Sequence, residues 1–324
     1  MTTRINDPAK TAFLFPGQGS QFVGMGKDFL ERSSGARDLL AMAERVSGIP
    51  LGNLCLNGPM EELTRTLHLQ PAMTVLNLIC LHALREKGID AAFFAGHSLG
   101  EYSALAATGV LSPEDTMTLV TERGRLMERE SGLHPGAMSA ILKLSIDQVA
   151  GIVEEAAGKG VVVAANHNSE QQIVISGDQA GVAAASALAA ERGGRAIALP
   201  VSGAWHSPLV ADAVPDFEKA MAGIVFNEPT GTILFNVTAA PAANPHAIRS
   251  IMSRQIASMV KWYDTVMAML EGGVTTFVEV GPKNVLTGLL KKILPKDHGC
   301  SCLQVEDSAS LQACVDSLRG KEAH

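Results

Sequence analysis

Short apolar runs alternate along this chain with longer segments whose apolar positions recur at helical spacing. Thr11 to Phe15 is one such run. It stops at Pro16-Gly17-Gln18-Gly19, which predicts a buried strand entering a glycine-rich loop. Pro71 to Lys87 predicts a helix, with proline at its start and Gly88 as its stop. Ala91 to Ala95 predicts a second buried strand; Gly96-His97-Ser98-Leu99-Gly100 follows, and a helix then runs to near Gly109. Ser112-Pro113-Glu114-Asp115 opens a further helix, which carries Arg123. The serine is a cap, the proline suits the first turn, and the acids favour the positive end of the helix dipole.

The rhythm changes in the middle of the chain. Gly136 to Leu142 predicts a strand, and Ser145 to Ala156 a helix with a capping box formed by Ser145 and Gln148. Val161 to Ala165 and Gln172 to Ser176 predict two strands, Asp178 to Arg192 a helix, and Arg195 to Leu199 a last strand. The order β-α-β-β-α-β over about sixty residues is the ferredoxin-like signature. It predicts a small domain at 135–200, inserted in a larger α/β domain made of 1–134 and 201–324. After Pro200 the larger pattern resumes, with strands at Thr232 to Val237 and Thr275 to Val280 and helices between and after them. Such alternation predicts a mainly parallel sheet covered on both faces.

Composition narrows the class. A chain of 324 residues fits one large domain or two smaller ones. Hydrophobic residues at 47% and charged residues at 18% supply a sizeable core and exclude a disordered chain. A net charge of -7 argues against broad nucleic-acid binding, which needs a basic face. Met1 to Lys10 is polar, and no uninterrupted apolar run approaches the ~20 residues of a membrane helix, so no membrane association is expected. The five cysteines are odd in number and fit no zinc or disulfide spacing; they predict reduced thiols in the cytoplasm. Cys300 and Cys302 form a C-x-C, which reads as incidental thiols rather than metal ligands.

The candidate chemistry lies in four places. Gly96 to Gly100 matches G-x-S-x-G between a predicted strand and a predicted helix, the context in which such a serine becomes a nucleophile. The helix N-terminus favours an anion, so the Leu99 N–H can face a developing oxyanion. A serine needs a base. His97 adjoins Ser98, so its side chain is expected to point elsewhere. His206 follows the small domain; spacing alone leaves it equally a base or a residue decorating the helix start at Ser207-Pro208. The loop at Gln18 could supply a second oxyanion donor or be a plain turn. Arg123 reads, on its own, as a surface arginine.

Five motifs decide among these: FPGQGSQ from Phe15, GHSLGEYSAL from Gly96, ANHNS from Ala165, GAWHSP from Gly203 and EVGPKNVLTGL from Glu279. In order and spacing they resemble the malonyl-CoA:acyl carrier protein transacylase family over Ala12 to Leu294. The resemblance implies an α/β-hydrolase-like core with an inserted ferredoxin-like subdomain. It implies Ser98 as nucleophile, His206 as base, and the N–H groups of Gln18 and Leu99 as oxyanion hole. It further implies Arg123 as the bidentate grip on a malonyl carboxylate, Asn166 and Asn168 lining the acyl site, and the Gln255 carbonyl orienting the imidazole. Trp205 stands where the family commonly has phenylalanine and is expected to narrow the space beside the malonyl α-carbon. Lys283, Lys291 and Lys292 are implied as carrier-docking residues; equally they solvate a surface helix and favour its negative end.

The implied reaction is ping-pong transfer from malonyl-CoA to acyl carrier protein, with no resident cofactor and no metal. With an ordinary imidazole pKa of ~6.5, acylation is expected to slow as pH falls below that value. Alternatives are a free-standing polyketide acyltransferase, a malonate decarboxylase transacylase subunit, an acyl hydrolase, or an inactive carrier-docking scaffold. Arg123 speaks against the hydrolase, which handles acyl groups without a free carboxylate, and an intact Ser98, His206 and Arg123 speak against the scaffold.

Overall fold

The computed structural model describes residues 5–201 and 203–322; Met1 to Arg4 of the polar N-terminal segment lie outside these, as do residues 323–324 and Ser202. Among the described residues, nine strands form two sheets. In chain order they are β1 (Thr11–Phe15), β2 (Phe93–Gly96), β3 (Ala137–Leu142), β4 (Val162–Ser169), β5 (Gln172–Gly177), β6 (Arg195–Ala198), β7 (Thr232–Ile233), β8 (Thr276–Val280) and β9 (Ser301–Val305). The larger sheet runs β7-β2-β1-β8-β9 and is parallel throughout. Its central strand β1 is buried along its whole length, as a strand covered on both faces must be. The Thr66–Glu86 helix packs on one face, in the same core as Phe13 and Phe15. The Trp262–Glu271 and Val285–Ile293 helices close the other, over Ala12, Leu14 and Phe277.

The smaller sheet runs β4-β5-β3-β6 with antiparallel neighbours, and the Ile146–Ala156 and Gln179–Glu191 helices join its strands in the βαββαβ order. The period-two alternation of its strands sets which way it faces. Ile141, Ile173 and Ile175 point into a separate core with those two helices. Met138, Ala140 and Val174 point the other way, into the main core, and line the central cavity.

Three expectations are corrected. The helix expected to begin at Pro71 begins at Thr66, with Pro71 inside it. Thr66, Leu69 and Gln70 are buried, and that burial outweighs the one backbone hydrogen bond a proline forfeits. At 21 residues this helix is long and apolar enough to cross a membrane by composition, yet 83% of its apolar window is buried inside the protein. Strand β4 runs on to Ser169, because the 260 loop supplies a second hydrogen-bonding partner: Val260 donates to Ala165 O (2.8 Å) and His167 donates to Val260 O (2.9 Å). Strand β7 stops at Ile233; the chain turns instead, with Ala239 donating to Phe235 O at 2.7 Å. Cys302 lies on edge strand β9, with Cys300 just before it.

Candidate active site

Strands β1 and β2 lie side by side, with Phe15 paired to Gly96, so the loops after their carboxyl ends meet. That is where an open parallel sheet places its ligand site. The turn after β2 is very tight. A Cβ at Gly96 would fall 1.8 Å from the Gly100 carbonyl carbon, and one at Gly100 would fall 2.0 Å from Phe15 O. Between them Ser98 adopts φ 51°, a left-handed conformation that costs a non-glycine residue on the order of 1–3 kcal/mol. The Asn236 side chain offsets this by spanning the turn: its Oδ1 accepts from Ser98 N–H (2.7 Å), and its Nδ2 donates to Gly96 O (2.9 Å).

His206 also has positive φ, 60°, which is held by buried Ser207 and the short helical turn it caps. Its Nε2 lies 2.7 Å from Ser98 Oγ. Its Nδ1 faces two backbone carbonyls, Ser258 O at 2.9 Å and Gln255 O at 3.1 Å. Two acceptors at Nδ1 require the proton there, which leaves Nε2 bare to accept from the serine hydroxyl. The Gln255 carbonyl beside the imidazole is thus the backbone one, and it shares the role with Ser258. Burial, reinforced by the positive charge of Arg123, pushes the imidazole down to about 3. His206 therefore stays neutral far below pH 6.5, so the expected slowing of acylation near that pH cannot come from this group.

Arg123 is 1% exposed, on the inner face of the Pro113–Leu133 helix, not on the surface. One guanidinium nitrogen lies 3.2 Å from Ser98 Oγ and 3.1 Å from Gln255 Oε1, and the group lies 5.6 Å from the Tyr102 ring centre. Burial pulls its pKa down. Its Nε is buried without a partner, and among the described residues no carboxylate lies within ion-pair distance of it. Arg125, two residues on, points outward and pairs with Glu122.

These groups open onto a cavity of about 280 Å³ between the two sheets. Gln18, Leu99, Asn166, Asn168 and Trp205 all line it. Among the described residues, the backbone N–H groups of Gln18 and Leu99 have no intramolecular partner. Asn166 and Asn168 sit two apart on β4, and Asn168 Oδ1 lies 2.8 Å from His97 Nε2. His97 is thus turned to Asn168 and the Trp262 ring rather than to the serine hydroxyl. Trp205 is buried against Gly203, where a Cβ would come within 2.4 Å of the indole.

Of the lysines, Lys292 Nζ reaches Gln172 Oε1 (2.9 Å) at the cavity wall, and Lys291 is exposed on the same last turn of the Val285–Ile293 helix. Lys283 is exposed outside that helix, its N–H donated to Glu306. The helix itself is anchored by buried Glu279, which accepts from the N–H groups of Leu286 (2.9 Å) and Thr287 (2.7 Å). Burial pushes that carboxyl up to about 7.

Three residues escaped the sequence reading. Glu101 is wholly buried beneath Ser98, Asn236 braces the turn, and Ser258 holds the imidazole. An acid in the first turn of the apolar helix GEYSALAA was a readable signal for Glu101. Asn236 and Ser258 lie in loops with no local pattern to mark them.

A bare imidazole nitrogen on a serine hydroxyl at a strained strand–helix turn, facing two unpaired N–H groups, is what acyl transfer through a serine ester requires. The profile of the acyl transferase domain matches residues 12–310. The malonyl-CoA–acyl carrier protein transacylase of Bacillus subtilis strain 168 is 37% identical over 96% of this chain and 98% of its own. A solved transacylase from Xanthomonas oryzae superposes with a TM-score of 0.91 at 39% identity, covering 95% of this chain and 98% of that one. A type II polyketide malonyl-transacylase, solved in complex with its acyl carrier protein, superposes at 0.91 with 35% identity, covering 95% and 99%. The chain belongs to the malonyl-CoA:acyl carrier protein transacylase family.

Proposed function

We infer that this chain transfers malonyl from malonyl-CoA to the phosphopantetheine thiol of acyl carrier protein, supplying fatty acid synthesis. One observation carries the choice of acyl group. Arg123 is a buried, permanent cation 3.2 Å from the Ser98 hydroxyl, without an ion-pair partner among the described residues. A buried charge without a direct ion pair is costly, and an acyl group bearing its own carboxylate supplies a direct partner. Such a planar fork suits a carboxylate.

In this reading His206 Nε2 takes the Ser98 proton as Oγ attacks the thioester carbon. The N–H groups of Gln18 and Leu99 receive the oxyanion; losing one such donor typically costs ~3 kcal/mol. The C–S bond breaks, and coenzyme A leaves with the proton from His206. The carrier thiol then attacks the malonyl-serine ester by the same steps in reverse. Coenzyme A and phosphopantetheine arrive as substrates, so the reaction draws on no resident cofactor. Cys55, Cys80 and Cys314 are buried thiols, which fits a reducing compartment, and we place the reaction in the cytoplasm.

The test is intact mass after incubation with malonyl-CoA, acetyl-CoA and methylmalonyl-CoA. The wild type should gain malonyl in preference, and Ser98→Ala should gain nothing while keeping its fold. A Ser98→Ala protein that still takes the malonyl mass would sink the reading.

A further inference from the structure

Glu101 opens the helix behind the Ser98 turn and has no exposed surface. The hydrogen bonds of the site converge on its carboxylate. Oε1 accepts from the backbone N–H of Asn236 at 2.7 Å, the residue whose side chain braces Ser98. Oε2 accepts from Gln255 Nε2 at 2.6 Å. That same amide nitrogen donates to Ser98 O at 2.7 Å, so both its protons are used, and the amide oxygen is left facing Arg123. The two ends of an amide are nearly alike in shape, so its partners choose its orientation. A carboxylate only accepts, and so it permits only the nitrogen on its side.

We propose that Glu101 is a positioning residue for acyl transfer: its ionised carboxylate fixes the Gln255 amide, and through it holds Arg123, Ser98 and His206 in register for the thioester. The proposal rests on the reading that Ser98 is acylated. A neutral group at 101 presents a hydrogen to one of two donors. Where that donor is Gln255, the amide turns its NH2 toward the guanidinium, where donors oppose, and Ser98 O loses its donor; where it is the Asn236 N–H, the brace behind Ser98 is weakened instead. Burial pushes the Glu101 carboxyl up to about 7; Arg123, on the facing helix, and the hydrogen bonds from Asn236 and Gln255 pull the other way. Tyr102, its neighbour on the same helix, is the other titratable group coupled to it, and His206 beyond Gln255 is neutral. Ionised above that pH and protonated below, Glu101 supports acylation on the alkaline side.

The experiment is single-turnover acylation of Glu101→Gln, with the rate constant taken per acylatable site and followed by mass across pH 5.5 to 8.5. Wild type should speed up with pH through about 7. Glu101→Gln should be about ten- to hundredfold slower at pH 8, the worth of a charge-assisted hydrogen bond, and lose that inflection. Malonyl-CoA should suffer at least as much as acetyl-CoA, because Arg123 is disturbed as well. Glu101→Asp keeps the charge but reaches one donor, so it should slow less and keep the inflection; it decides the matter if Glu101→Gln does not fold. A rate within about twofold of wild type per folded site, or an inflection that survives in Glu101→Gln, overturns the proposal. A wild type that takes no malonyl would instead overturn the function itself.

Discussion

Arg123 lies 3.2 Å from the Ser98 hydroxyl, the nucleophile of the proposed reaction, and in that reading it meets the free carboxylate of the malonyl ester. Arg123→Ala should therefore slow malonyl transfer by about ten- to hundredfold, the cost of a charged hydrogen bond, while acetyl transfer changes far less. Arg123→Lys should recover only part, because an ammonium cannot fork and cannot serve Gln255 and the substrate in one plane. Equal losses for both acyl groups in parallel assays would make Arg123 a structural residue. His206 makes a second prediction. Two carbonyls fix its proton on Nδ1, and burial with Arg123 holds its pKa near about 3. Nitrogen-15 NMR of the imidazole should show the neutral Nδ1–H form unchanged from pH 8 to 5; a shift to imidazolium near pH 6.5 contradicts the geometry. The serine was legible because its motif is local. The histidine was ambiguous from spacing and needed the family likeness. Glu101, Asn236 and Ser258 act on Ser98 and His206 through contacts closed by the fold, and Asn236 joins Ser98 across 138 positions of sequence.

Helix starts marked by a capping serine or aspartate were read almost to the residue. The Pro113–Leu133 helix begins where Ser112, Pro113, Glu114 and Asp115 said it would, and Ser145 and Gln148 form both halves of the expected capping box. Errors fell where distant partners decide. The extension of β4, which carries Asn166 and Asn168 to the cavity, depends on the 260 loop, and the early start of the Thr66–Glu86 helix depends on burial. The cap of the Arg123 helix offers a test at this scale. Ser112 Oγ accepts from Asp115 N–H at 3.0 Å and donates to Asp115 Oδ2 at 2.8 Å. Ser112→Ala should cost ~1 kcal/mol, a fall of a few degrees or less in Tm for a chain of this size. It should leave the malonyl-to-acetyl preference intact, since Arg123 lies nearly three turns away. A large change in preference with little change in calorimetric Tm would mean that the cap tunes the site rather than the helix.

At the scale of the molecule, the cavity is the seam between the two sheets. The larger sheet brings Ser98 and the Gln18 loop; the smaller brings Met138, Val174 and the two asparagines; and the Val285–Ile293 helix closes the side with Leu286 and Leu289. That helix ends at the seam with Lys291 and Lys292 exposed, and Lys292 bridges to Gln172 of the smaller sheet. The chain as a whole carries a net charge of -7, so an acidic carrier protein is repelled at long range and needs a local basic rim beside the opening. Reversing both lysines, Lys291→Glu with Lys292→Glu, should raise the KM for acyl carrier protein several-fold, most strongly at low salt, because rim charges act on encounter and are screened within ~10 Å at 0.1 M ionic strength. Self-acylation from malonyl-CoA precedes carrier docking, so its single-turnover rate should change little. The control matters, because the lysines also favour the negative end of their helix, and losing them costs some stability. If the double variant takes malonyl-CoA poorly yet uses the carrier normally, the rim serves the phosphates of coenzyme A, and the carrier docks elsewhere.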